Sequence, residues 1–187
     1  MSATSLDVFD KTIQTTSIWL NEINAVIGPD RHLAWKVLST VLHKLRDRLP
    51  VELSAHLGSQ MPLLIRGAYY DQYKPASQPG PCRNEENFTM EVAEWLSDAR
   101  PVDPRLAIAA VLCVLDRHVD PGQVVKVKAA LPKQLRQMWD HAESIAFPEP
   151  KVHPVAELRN EAGDRLRNCP ANGQSPDIVS TAIADAP

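Results

Sequence analysis

The residues of this chain best equipped for chemistry are its six histidines, three cysteines and three tyrosines, and their spacing narrows what they can do. His32 and His43 share a face if they lie on one helix. Eleven residues separate them, so they stand about 16 Å apart along its axis, too far to hold one ion. His56, His118, His141 and His153 are scattered, and neither HxxxH nor HExxH occurs. No metal site is expected, and His32 and His43 are assigned to a solvated helix face. Cys82, Cys113 and Cys169 are odd in number and far apart, with no CxxC pair. That excludes a disulfide framework, a zinc ribbon and a thioredoxin-type motif. Cys113 sits inside an apolar run where a thiol is inert, and nothing beside Cys82 activates it. GxSxG, GxGxxG and Walker patterns are all missing. No catalytic residue and no cofactor is expected.

The tyrosines are more informative. All three lie in one stretch, Arg66-Gly67-Ala68-Tyr69-Tyr70 followed by Tyr73 and Lys74. Residues three apart on a helix face the same way, so Arg66 and Tyr69 project together with Tyr70 beside them. Tyrosine combines apolar area with a hydroxyl, and a guanidinium can hold an anion with two bonds. His56, Arg66, Tyr69, Tyr70 and Tyr73 are therefore the candidate contact residues. They serve either to fasten their helix end and linker to the second half of the chain or to line a small-molecule site. A second feature, the cationic run Lys126, Lys128, Lys133 and Arg136, points in several directions and lacks an aromatic stacking ladder. With a formal net charge of −3, no nucleic-acid partner is expected.

The elements that must carry these residues are helices. Sixteen prolines against seven glycines suit helices punctuated by proline better than glycine-turned sheets. A first helix from about residue 6, capped by Thr4, carries the stripe Phe9, Ile13, Thr16, Leu20, Ile23 and Ile27, and Gly28-Pro29 ends it. A second, residues 30–48, has Leu33, Ala34, Val37, Leu38, Val41, Leu42 and Leu45 on one face. Pro50 and Met61-Pro62 open a third and a fourth. Residues 72–84 form a proline-broken linker. Asn84 caps a fifth helix that buries Phe88, Val92, Trp95 and Leu96. Asp103-Pro104 and Asp120-Pro121 start a sixth and a seventh, a cap followed by proline at the first position. An eighth follows Leu131-Pro132 and ends near Phe147. The sixth is apolar on all sides from 106 to 115 and should lie at the centre. Residues 148–187, rich in proline, read as a disordered tail.

The two halves follow one plan. Trp19-Leu20 corresponds to Trp95-Leu96, Asp30 to Asp103, Pro50 to Pro121, and Met61-Pro62 to Leu131-Pro132. The expected architecture is an all-α bundle of about eight helices spanning 6–147. Repeat one covers 6–71 and repeat two 85–147.

The run Leu45-Arg46-Asp47-Arg48-Leu49-Pro50 is followed by Ala55-His56-Leu57-Gly58-Ser59-Gln60-Met61-Pro62 and Leu63-Leu64-Ile65-Arg66-Gly67-Ala68-Tyr69-Tyr70. With Asp103-Pro104, Asp120-Pro121-Gly122 and Leu131-Pro132-Lys133, it resembles a widespread bacterial family of small helical proteins known as a domain of unknown function. The resemblance spans about residues 6–147. It implies an all-helical, two-repeat, cytoplasmic bacterial domain and brings no activity, cofactor or catalytic residue. The absence of a signal-peptide pattern and of an apolar run of membrane-spanning length fits a cytoplasmic protein without a membrane partner. The function read from the sequence is a non-enzymatic helical interaction or regulatory module, with a protein partner or self-association. The alternative is a small-molecule-binding protein or enzyme with its site at the junction of the repeats.

Overall fold

The structure, a computed structural model, describes residues 6–80 and 84–147, and every regular element within them is a helix. The expected Thr4 cap, Cys82 and the segment 148–187 lie outside the described residues. Helix α1, Asp7–Ile27, stops at Gly28, whose φ of 97° favours glycine. Helix α2, Arg31–Arg46, begins where the Asp30 carboxylate accepts the amide of Leu33 at 3.0 Å. That bond holds Asp30 below the ordinary carboxylate range. Helices α3, Val51–Ser59, and α4, Leu63–Tyr70, each follow an extended proline, Pro50 and Pro62. Asn84 caps α5, Glu85–Leu96, by accepting from Asn87 at 2.9 Å. Asp103 and Asp120 cap α6, Pro104–His118, and α7, Pro121–Ala130, with proline at the first position of each, as the sequence implies. Helix α8, Lys133–Asp140, ends at His141, and α9, Ala142–Ala146, comes directly after it. The expected eighth helix is therefore two, divided where His141 takes φ −96° and ψ 0°.

Helix α6 is buried at every position from Ala107 to Leu115, as its lack of a polar face implies. It shares the centre with α2, whose Leu33, Ala34, Val37, Leu38, Val41, Leu42 and Leu45 are each at most 3 % exposed. These two helices pack on one another, and α1 and α5 each pack on both. Helix α4 packs on α2 and α1, α8 on α6 and α5, α3 on α4 and α7, and α9 on α6. The main neighbours of α2 are α1, α4, α5 and α6.

Four residues differ from the sequence expectation. The apolar stripe of α1 is buried only from Thr16 onward, because Phe9 and Ile13 at its start are 45 % and 50 % exposed. Trp95, assigned to the buried face of α5, is 45 % exposed. His43, assigned to a solvated face, is half-buried against α4, its Nε2 2.6 Å from the carbonyl oxygen of Ala68. Phe9, Trp95 and His43 line the same groove.

Candidate functional site

The structure brings Arg66, Tyr69 and Tyr70 together against α3, and their polar atoms are already engaged. Arg66 Nε donates to the carbonyl oxygen of Gly58 at 3.0 Å, and its Nη2 to those of Ser59 at 2.7 Å and Met61 at 3.0 Å. These carbonyls lie at the α3 terminus, where a helix runs out of internal donors. Tyr69 is fully buried, and its hydroxyl donates to the Ser54 carbonyl at 3.0 Å and meets Ser54 Oγ at 2.8 Å. Burial pushes the phenol far above its ordinary range. Gly58 makes this approach possible, since a Cβ there would fall within 3.0 Å of both the Tyr69 and the Tyr70 rings. Tyr70 packs between Tyr69, edge to face, and Tyr73, at a tilt, with ring centres 5.0 and 5.6 Å away. The Tyr73 hydroxyl donates to Gln78 Oε1 at 2.7 Å. Beneath it the buried Arg46 guanidinium lies 4.9 Å from the Tyr73 ring and donates to the carbonyls of Tyr69 and Asp71. His56 stands apart, exposed, with its ring 4.0 Å from Glu52. This constellation ties α3, α4 and the start of the linker together.

Arg136 repeats the Arg66 pattern between α7 and α8. Its Nε donates to Lys128 O, and its Nη2 to Ala129 O and Leu131 O, all at 3.2 Å. Trp139, three residues on, is buried and donates Nε1 to both carboxylate oxygens of Asp116 at 3.0 Å. Lys128 sits 3.2 Å from Asp140 and 3.7 Å from Asp116. Two members of the cationic run, Lys128 and Arg136, are thus committed within the fold, while Lys126 and Lys133 are exposed.

Desolvation raises the Asp116 carboxyl above 3.8 despite Lys128 and the Trp139 bond. The folded state therefore binds this proton more readily than the unfolded chain. Stability from this group is greatest below the ordinary carboxylate range and falls as pH rises through the raised value. Asp116→Asn keeps an acceptor for Trp139 and removes the charge. The stability of the variant relative to wild type should accordingly increase as pH rises from 4 toward 7, measured by urea unfolding at each pH. A difference that stays constant across that range contradicts the burial argument.

A groove suited to a ligand lies elsewhere. An open groove of about 700 Å³ runs between α1, α2, α4 and α5. Ser39, Thr40, His43, Gly67 and Ala68 line it together with Phe9, Trp35, Leu64 and Trp95. Phe9, Leu63, Leu64 and Trp95, spread over three helices, are each 45–53 % exposed along it. Lys36 pairs with Asp98, while Lys44 Nζ lies 4.7 Å over the Trp95 ring and 3.3 Å from Glu91. A polar cleft shares His43, Gln72 and Trp95 with the groove and adds Lys44, Arg46, Asp47 and Lys74. One residue in the sequence signals this site. Trp35 stands four and eight residues before Ser39 and His43, so a large apolar ring sits on the supposedly solvated face of α2.

Chemically, the groove offers apolar area with few polar groups. His43 Nε2 is held by a backbone carbonyl. Among the described residues no group of three or more His, Cys, Asp or Glu side chains could hold a metal ion. The Cys113 thiol is buried and pushed up to about 11, which suppresses its thiolate. No described helix is long and apolar enough to cross a membrane.

Residues 16–138 match a protein family described as "Uncharacterized conserved protein (DUF2267)". No curated protein matches the chain.

Proposed function

The chain belongs to the DUF2267 family of uncharacterized conserved proteins, and from that premise we propose that it is a helical interaction module whose docking face is the groove between α1, α2, α4 and α5. The observation that carries this is the gathering of exposed large apolar side chains, Phe9, Leu63, Leu64 and Trp95, around one concave surface. Scattered exposed apolar residues need no explanation, whereas a contiguous set around a groove marks a contact site. Of the candidate contact set His56, Arg66, Tyr69, Tyr70 and Tyr73, all but the exposed His56 have a positioning role in this proposal. By holding α4 against α3, four of these residues fix the helix that presents Leu63, Leu64 and Gly67 to the groove.

The module is further proposed to be one unit of four helices used twice, over 6–71 and 85–147. The matched bonds of Arg66 and Arg136 support this, as do the Asp30 and Asp103 caps at the starts of α2 and α6. His43 on α2 meets α4 through Ala68 O, and Asp116 on α6 meets α8 through Trp139.

Gly67 provides the test. It lines the groove, and a Cβ built on it meets nothing within 4 Å. Gly67→Leu should fill the groove without disturbing the fold, and should raise stability by about 0.5–1 kcal/mol through helix propensity. Affinity capture from the native host with wild type and Gly67→Leu should lose at least one co-purifying protein in the variant. Identical capture by two equally folded proteins would remove the groove as the docking face.

A further inference from the structure

The second half of the chain indicates what kind of partner the groove takes. With Asp30 matched to Asp103, the α2 positions Thr40, His43 and Lys44 correspond to Cys113, Asp116 and Arg117 on α6. On α6 this surface is occupied. Helix α9 packs there with Ala142 and Ala146 buried, and Glu143 acts electrostatically on both Cys113 and Asp116. The Arg117 guanidinium lies 4.5 Å over the Phe147 ring at the end of that helix. In the first half α4 is succeeded instead by Gln72, at φ 53°, and by a short 3-10 turn, Pro75–Ser77. Among the described residues no helix succeeds α4 as α9 succeeds α8, and none covers the matching surface of α2, which forms the groove. The paired tryptophans differ too, since Trp19, stacked on His118 of α6, is 1 % exposed and its counterpart Trp95 45 %.

We propose that the groove binds an amphipathic α-helix supplied by a protein partner, seated along α2 as α9 is seated along α6. This rests on the groove being the docking face. An apolar stripe at helical spacing is the usual way such a helix fills a hydrophobic groove. The lining leaves room for larger residues against Ser39, Thr40, Gly67 and Ala68 and for smaller ones against Phe9, Leu64 and Trp95. Charge adds direction. Lys36, Lys44 and Arg46 have Asp98, Glu91 and Asp47 as partners, while the Lys74 ammonium at the adjoining cleft has no ion-pair partner among the described residues. His43 and Lys44 stand where α6 has Asp116 and Arg117. A helix with an acidic residue at the Lys74 end is therefore complementary, and such pairing sets orientation and the rate of encounter.

The experiment is a display library of 16-residue peptides selected on the full chain and counter-selected on Gly67→Leu. The expected binders carry apolar residues at three- and four-residue spacing with Asp or Glu at one end. They lose binding when a proline replaces a central residue, and bind more weakly to Lys74→Glu. Their amides should show helical contacts by NMR when bound. Binders that tolerate the central proline would overturn the helical occupant and leave the groove as a docking face for an extended chain. A dimer in sedimentation that Gly67→Leu dissolves would likewise replace the partner helix by a second copy. Absence of any binder or dimer sensitive to Gly67→Leu would overturn both the occupant and the docking face.

Discussion

Tyr69→Ala should lower the free energy of unfolding by about 3–5 kcal/mol, the range for deleting a fully buried aromatic ring. Tyr69 has no exposed surface and lies on the inner side of α4, where its ring is 5.0 Å from that of Tyr70. The hydroxyl contributes separately. It donates to the Ser54 carbonyl and meets Ser54 Oγ, and Ser54 is itself buried. Tyr69→Phe keeps the ring and removes the hydroxyl's bonds to those two oxygens, so it should cost about 1–3 kcal/mol. Urea unfolding of the two variants separates ring from hydroxyl. The Phe variant carries a further meaning. A tyrosine serving a ligand would leave stability unchanged when its hydroxyl is removed, whereas this one is committed to α3. A loss below about 1 kcal/mol for Tyr69→Ala would mean that α3 and α4 re-close around the gap, and that the constellation does not fix α4.

Helix positions were legible in the sequence because local chemistry decides them. An aspartate or asparagine cap, a proline after it, or Gly28-Pro29 as a stop acts within one turn. The burial of α6 was legible for a similar reason, since a segment without a polar face has only one stable place. The groove was not legible, because it depends on what tertiary structure leaves uncovered. Phe9 and Ile13 continue a regular apolar stripe, and nothing local says that no described helix lies over them. The alternation of His32, Lys36, Ser39 and His43 looks like a solvated face. Only in the fold does His43 bond to Ala68 and Lys36 to Asp98. The tyrosine cluster shows the converse. Residue type drew attention to it as a contact surface, and the geometry commits Arg66 to three backbone carbonyls. Main-chain acceptors at a helix end carry no side-chain signature, so that commitment could not be read beforehand.

Leu42→Ala and Leu112→Ala should destabilise the chain equally, each by about 2–5 kcal/mol. The sequence alone ranks them differently, because α6 is apolar all round and α2 has a polar face. In the structure both leucines are at most 1 % exposed, and both helices pack against α1, α5 and each other. The polar face of α2 therefore does not mark a surface helix. It marks a central helix with one side open to the groove. Leu64→Ala provides the contrast. Leu64 is 47 % exposed and lines the groove, so its loss should change stability by less than about 1 kcal/mol. Urea unfolding of the three variants reads this directly. If Leu42→Ala costs less than half of Leu112→Ala, then α2 is not a second centre. If Leu64→Ala costs as much as either, the groove wall belongs to the core and not to a docking face. The chain keeps Leu64 exposed although burying it would stabilise the fold, and that is intelligible if its apolar contacts are completed by something bound.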